Sequence, residues 1–476
     1  MDDPRDANHQ PIEDVVASAR EAQAHWGQAS FGDRARGLRA LASAARVDAD
    51  LVRCLIEETG KPEYEALGFE VAYLCEVIRY LTGRAGRRAL AENSRSSLIF
   101  PHKRARVGWK PRGVVAVIGP GNFPLLNNFG DAVAPLLAGN SVVLKPSPRT
   151  PGASRRMLAL WREVGLPDSV FQVVEGGPEV GRALADTCDM VFFTGSVAAG
   201  RELAARAGER LIPCVAELGG KSPMIVLADA DVEAAARAAV WGAFAGTGQI
   251  CIRVERVLVE SSVADAFAES VRAQTMALRQ GGEEPDVGVS LSAADRERCR
   301  ALVEDALARG ARLLAGGGGP PGSALPPTVL DRVTADARIA NEETFGPVLP
   351  ILRVADAEEA VRLTNASPFG LSGSVWSRDR DRARELGRRL VSGSLCINDV
   401  LVNYFFVSAP FGGMRASGMG FRHGAEALRQ FCVPQSIVED RPGWGPLAAW
   451  VRRQIGFPYR KRVLEALRFL MKVLYR

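Results

Sequence analysis

Between residues 12 and 92 apolar positions recur at helical spacing, with Ala, Arg and Glu between them, so this stretch is predicted to be helical. Around Ser97–Arg112 the pattern shortens into β-like pieces, Ser97-Leu-Ile-Phe100 and Arg106-Val-Gly-Trp109. Beyond it, short apolar runs alternate with helical stretches. Gly113-Val-Val-Ala-Val-Ile118, Ser141-Val-Val-Leu144, Val170-Phe-Gln-Val-Val174 and Met190-Val-Phe-Phe193 read as buried strands. Most are followed by a Gly/Pro turn and an Ala-containing helix. Strands alternating with helices predict an α/β fold, a parallel sheet with crossovers of the doubly wound, nucleotide-binding kind. A second α/β series begins at Ser222-Pro-Met-Ile-Val-Leu227 and runs to about Asn398. Gly316–Pro321 reads as a turn-rich loop between its two halves, and no internal repeat is visible.

A chain of 476 residues is too long for one ordinary core, so two or three domains are expected. No run of eighteen apolar residues suggests a spanning helix. Met1-Asp2-Asp3-Pro4 has neither the basic start nor the apolar centre of a secretory signal. The eight cysteines contain no CxxC pair, which disfavours a disulfide framework or a zinc site and points to a reducing, cytoplasmic setting. Of the four histidines (His9, His25, His102 and His423) only His423 lies near a motif, so no metal is expected and Ser-His-Asp chemistry has little to draw on. The net charge of +5 is uneven: Arg441–Arg476 holds nine Lys/Arg and one acid, +8, which leaves −3 for the rest. The body is slightly acidic, the tail strongly basic, and no nucleic-acid partner is expected.

Several segments could carry chemistry. Phe244-Ala-Gly-Thr-Gly-Gln-Ile-Cys251 puts a cysteine after a Gly-rich turn, where backbone N–H groups can lower a thiol pKa and make a nucleophile; the plain alternative is a small buried apolar residue. Glu217-Leu-Gly-Gly-Lys221 ends a strand on an acid that could act as general base, or could face water or pair with Lys221. In Gly119-Pro-Gly-Asn-Phe-Pro124 the Asn122 amide could serve an oxyanion, or be an ordinary turn residue. Phe193-Thr-Gly-Ser196 opens a helix and suits a phosphate, or is only a cap. Lys145-Pro-Ser-Pro148 could hold an adenosine ribose, or be a solvated turn.

Taken together and in order, these segments resemble the aldehyde dehydrogenase superfamily over roughly residues 12–440. The resemblance continues through Glu342-Glu-Thr-Phe-Gly-Pro347 and Pro410-Phe-Gly-Gly-Met-Arg-Ala-Ser-Gly-Met-Gly420. Its closest-looking branches are succinate-semialdehyde-like and fatty-aldehyde-like. It implies a Rossmann-type coenzyme domain, a second α/β catalytic domain and a small β oligomerisation element. Residues 1–219 would be the first, interrupted by a β element at 95–111, and 220–418 the second. The element at 95–111 and residues 419–440 would build the third, with 441–476 as a basic amphipathic tail. A homodimer or homotetramer is implied.

The resemblance also implies roles. Cys251 would attack an aldehyde carbonyl, Asn122 would stabilise the oxyanion, and Glu217 would activate water to release a carboxylic acid. Glu343 would hold the nicotinamide ribose and Phe345 would pack near the nicotinamide. Lys145 would bind the adenosine ribose and Ser196 the pyrophosphate. Ile118, Pro120, Ser147, Gly177, Gly181, Phe193, Gly195, Leu218 and Gly219 complete the expected NAD(P) contacts.

Three positions depart from the family pattern. Gly121 stands where Trp is frequent and Gly246 where Asn is frequent. Pro148, followed by Arg149, replaces a Glu that in many NAD-preferring relatives holds both ribose hydroxyls. Losing that carboxylate removes a repulsion against a 2′-phosphate, which leans the expectation to NADP or dual use. Asn127, Trp241 and Phe411, with Tyr404 and Phe405, are expected along the substrate path. A medium or long aliphatic or an aromatic aldehyde suits them; Arg253, able to pair with a carboxylate, keeps succinate semialdehyde as a rival. In the tail, Val463, Leu467, Leu470, Met471 and Leu474 form an apolar stripe among Lys and Arg. Such a helix suits peripheral contact with an anionic inner-membrane surface, or packing against protein. A catalytically silent scaffold is the remaining alternative.

Overall fold

The computed structural model describes residues 10–282, 284–289, 292–318 and 324–474. The sequence readings on Met1–Pro4, His9, the end of the Gly316–Pro321 loop and Arg476 lie outside them.

The described residues form two compact units, the larger within 10–89 and 111–431, the smaller within 90–110 and 432–474. The larger opens with the expected helices. Ile12–Trp26 buries Val15, Val16, Ala19 and Trp26 along one face, and the Trp26 indole N–H donates to the Leu136 carbonyl at 2.8 Å. Ser30 and Asp48 cap the next two helices, each side chain accepting a backbone N–H three residues on.

Two sheets organise this unit. The first has the order Gly418–Met419, Cys214–Glu217, Met190–Thr194, Val114–Ile118, Ser141–Lys145, Phe171–Val173. All its strands are parallel except Gly418–Met419, which lies antiparallel to Cys214–Glu217. The chain leaves Val114–Ile118 toward one edge and returns to its other side with Met190–Thr194. That reversal opens a crevice at the carboxyl ends of the strands. The second sheet has seven strands, from Arg312–Ala315 through Pro223–Val226 to Ser394–Ile397, and only the Arg312–Ala315 pairing is antiparallel. Their central strands are buried on both faces, which explains the uninterrupted apolar runs.

The smaller unit is a three-stranded sheet of Asn93–Ser96, Lys103–Pro111 and Cys432–Asp440, followed by helices Gly445–Ile455 and Lys461–Leu474. Two expectations change here. Ser97-Leu-Ile-Phe100 is a turn between strands, with Leu98 85 % exposed; its apolar residues cover no core. Residues 419–431 belong to the larger unit, because Met419 pairs with Ala216, so only 432–440 joins the small sheet.

Candidate active site

The carboxyl ends of the first sheet converge on a cleft of about 600 Å³. Ile118, Gly119 and Pro120 follow one strand, Lys145 and Ser147 the next, Phe193, Gly195 and Ser196 a third, and Glu217, Leu218 and Gly219 a fourth. Gly177, Gly181, Glu343 and Phe345 close it, so every expected coenzyme contact lines one cavity. Lys145 is buried, which lowers its pKa, and its ammonium donates to the Pro146 carbonyl at 3.3 Å. Ser196 caps Val197–Glu209, accepting from Ala199 N at 3.3 Å. Gly219 leaves room for the Glu343 carboxylate against the backbone. A Cβ there would stand 2.2 Å from the Glu343 carboxylate, which instead accepts the Gly220 N–H at 3.0 Å.

A second, narrow pocket of about 30 Å³ is lined by Phe69, Phe123, Leu126, Ile252, Leu401 and Phe405 among others. Cys251, Asn122 and Asn127 line both cavities, so the thiol stands where they meet.

The turn before Cys251 is built from strain. Gly246, Thr247 and Gly248 all have positive φ, of 58°, 56° and 70°. Thr247, a β-branched residue, pays for this with about 1–3 kcal/mol of backbone strain. The turn is anchored from outside: the Gly246 N–H donates to buried Glu65 at 2.9 Å, and the Asn122 side-chain amide donates to the Gln249 carbonyl at 2.6 Å. The Asn122 turn is fixed in its own right. Buried Lys61 donates to the Asn122 carbonyl at 3.1 Å and pairs with Glu70, whose other oxygen accepts Leu125 N at 2.7 Å.

Burial dominates the electrostatics. It pushes the Cys251 thiol up to about 12, against the pull of Arg422 and with the push of Glu217 and Glu343. It pushes Glu217 up to about 8, with Arg422 pulling down and Asp131 pushing up. Glu343 rises to about 7 through burial and the nearby Glu255. Glu255 itself is the opposite case. Burial would raise it, but Arg253 at 2.6 Å and Lys221 at 2.6 Å bring it down to about 2. Its oxygens also accept Thr344 N and Phe345 N at 3.0 and 3.1 Å, so this carboxylate holds the loop that presents Glu343.

Three substrate-side expectations need revision. Trp241 is 39 % exposed, packs on Phe69 with ring centroids 6.2 Å apart, and lines neither cavity. Phe411 lies behind Tyr404, centroids 5.0 Å apart, one layer from the pocket. Arg253 is fully buried, donates to Glu255 and to the Ala243 and Val348 carbonyls, and lines neither cavity. The sequence reading also missed Arg422 and Asp131, a buried pair 3.1 Å apart beside Glu217. The available signal was Asp131 itself, a lone charge in the otherwise apolar Gly130–Ala138 helix.

Comparison with known proteins agrees with this geometry. The model of the aldehyde dehydrogenase family matches residues 1–437. The chain is 37 % identical to 4,4′-diapolycopene aldehyde oxidase of a Methylomonas species, over 92 % of this chain and 84 % of that protein. It is 37 % identical to a candidate NADP(+)-dependent succinate-semialdehyde dehydrogenase of Mycobacterium ulcerans, over 90 % of this chain and 84 % of that one. Among solved structures, the NADP-dependent glyceraldehyde-3-phosphate dehydrogenase of Bacillus halodurans, complexed with NADP, superposes with a TM-score of 0.85 at 33 % identity, covering 90 % and 91 % of the two chains. The chain therefore belongs to the aldehyde dehydrogenase family and is an NAD- or NADP-dependent oxidoreductase acting on aldehydes.

Proposed function

We propose that the protein oxidises an apolar aldehyde to its carboxylic acid through a thioester on Cys251. The observation that carries this is the position of Cys251, at the junction of the cleft and the apolar pocket, with Asn122 and Glu217 on the cleft wall. Cys251 loses its thiol proton to water in the cleft, Sγ bonds to the aldehyde carbon as the carbonyl π pair moves to oxygen, and Asn122 with the Cys251 N–H steadies that oxyanion. A nicotinamide coenzyme held by Lys145, Ser196, Glu343 and Phe345 would supply the hydride acceptor, and its cationic ring would favour the thiolate. Glu217 takes a proton from water as the water attacks the thioester, so the acid leaves and the thiol is restored.

The pocket favours the substrate class. Its walls are aromatic and aliphatic, and Arg253 is held by Glu255, which supports an aliphatic or aromatic aldehyde over succinate semialdehyde. The aldehyde oxidase relative, named for a long carotenoid aldehyde, agrees. At about 30 Å³ the pocket has to widen to admit a long chain. Use of NADP, alone or beside NAD, is supported by Pro148 in place of an acid and by Ser147, Arg149 and Arg182 on the cleft wall.

Assembly as a homodimer or homotetramer is assigned to the small sheet, where Val433, Ile437 and Val438 are exposed. The tail is assigned to the surface of an anionic membrane; among the described residues no helix is long and apolar enough to cross one.

The test is reduced-coenzyme formation with NAD and NADP against hexanal, a long-chain aldehyde, benzaldehyde and succinate semialdehyde, with Cys251→Ala as control. Turnover lost in the Ala variant supports the thioester route. Turnover best with succinate semialdehyde overturns the apolar assignment, and none with any pair leaves the silent scaffold.

A further inference from the structure

We infer that Arg422 is the positioning residue for Glu217, holding its ionised carboxylate through the Nε–H between rounds of hydrolysis, and that Asp131 sets how strongly it holds. This rests on the reading of Glu217 as the hydrolytic base.

The guanidinium of Arg422 is buried and almost fully engaged. Nη1 donates to Asn127 Oδ1 at 2.8 Å and to the Tyr404 hydroxyl at 2.7 Å, and stands 3.1 Å from Asp131 Oδ1. Nη2 donates to Thr194 Oγ1 at 2.8 Å. Four groups thus fix the plane of the fork, and Nε is its one nitrogen without a partner. The nearest carboxylate oxygen is Glu217 Oε1, 3.9 Å away, buried and equally without a partner. Two orphaned, complementary groups at that separation are not bonded. A side-chain movement of about 1 Å brings them to ordinary hydrogen-bond distance. The same carboxylate has to reach water beside Cys251 to hydrolyse a thioester. Glu217 therefore has two stations: one against Arg422, the other against the nucleophile.

The charge arithmetic is that of two carboxylates sharing one cation. Asp131 neutralises part of Arg422, and what remains acts on Glu217. Asp131, pushed up to about 7 by burial against the pull of Arg422, titrates in the same range as Glu217. The other groups facing the pair keep their form near neutral pH. Burial raises Tyr73 and Tyr404, lowers His423 to about 3, and raises the Cys251 thiol to about 12. Glu343, at about 7, acts on Cys251 from the far side of the cleft.

The two neighbours consequently have opposite effects, which a merely structural role would not produce. Loss of the cation in Arg422→Gln raises the Glu217 pKa, so the rising limb of the kcat profile moves alkaline by about 1–3 units. Loss of the Asp131 charge in Asp131→Asn frees the guanidinium for Glu217, and the limb moves to lower pH. Arg422→Lys keeps the charge and restores most of the turnover lost at pH 7.

The experiment is the pH dependence of steady-state kcat for wild type, Arg422→Gln, Arg422→Lys, Asp131→Asn and Glu217→Gln, beside the first-turnover burst of reduced coenzyme. Opposite shifts in Arg422→Gln and Asp131→Asn, with bursts retained, are the expected result. Shifts in the same direction, or none, overturn the inference. A variant that gives neither a burst nor a cooperative melting transition is misfolded, and Asp131→Asn then decides alone: a limb moved to lower pH supports the inference, and one unmoved or moved alkaline overturns it. If Glu217→Gln leaves steady-state turnover equal to wild type, it is the reading of Glu217 that fails instead.

Discussion

At the scale of single residues, the same burial that shelters Cys251 and Glu217 also keeps both protonated at neutral pH. Because Glu217 serves as a base, turnover is expected to rise with pH up to about 8 and then level. Glu217→Gln should keep one burst of reduced coenzyme and lose about 10²–10⁴ of kcat, read in a stopped-flow trace. His423 gives a stability counterpart. Its Nε2 lies 2.5 Å from the Tyr73 hydroxyl in a buried site, and burial followed by the Arg422 charge lowers it to about 3. The unfolded chain binds a proton below about 6.5, where the folded chain does not. Stability is therefore full above that pH and falls toward about 3, by up to about 1.4 kcal/mol per unit. His423→Gln should flatten the fall in unfolding midpoint between those limits. Cys251, Glu217 and Asn122 stood out in the sequence because each lies in or beside a turn whose glycines or prolines mark a special backbone. Arg422 and Asp131 did not, since a lone charge reads as surface until the fold supplies its partner. Arg253 misled for the same reason: its partner Glu255, two residues on, shows its pairing only in the fold.

At the scale of elements, strand ends do most of the positioning, and their turns tolerate little. Gly219→Ala would drive a methyl into the Glu343 carboxylate. The expected result is a coenzyme KM raised by an order of magnitude or more, with thermal stability lowered by about 1–3 kcal/mol, checked by coenzyme titration and melting. The parallel strands were legible because burial on both faces leaves unbroken apolar runs. Ser97–Phe100 deceived because a turn can carry the same residues when nothing nearby requires them to be covered. The return of Gly418–Met419 to the first sheet was hidden, because two residues of antiparallel pairing leave no periodicity to read.

At the scale of the whole molecule, the tail is the least self-sufficient part. In Lys461–Leu474 the apolar residues Leu464, Leu467, Phe469, Leu470, Met471 and Val473 are 40–70 % exposed, among Lys461, Arg462, Arg468 and Lys472. Full-length protein is expected to float with anionic vesicles at low salt and to release as salt rises, whereas a chain ending before Gly445 stays in the dense fraction. Flotation by the shortened chain would place the contact elsewhere. The protonation of Cys251, partly buried on the cleft wall, also bears on how its sulfur reacts. With a thiol at about 12, only about one molecule in 10⁵ carries a thiolate at pH 7 when no coenzyme is bound. Peroxide and alkylating agents attack that minority alone, so inactivation by iodoacetamide should be slow at neutral pH and quicken about tenfold per pH unit. On that expectation the sulfur reacts with such reagents chiefly while coenzyme is bound, because a cationic ring beside it would favour the thiolate.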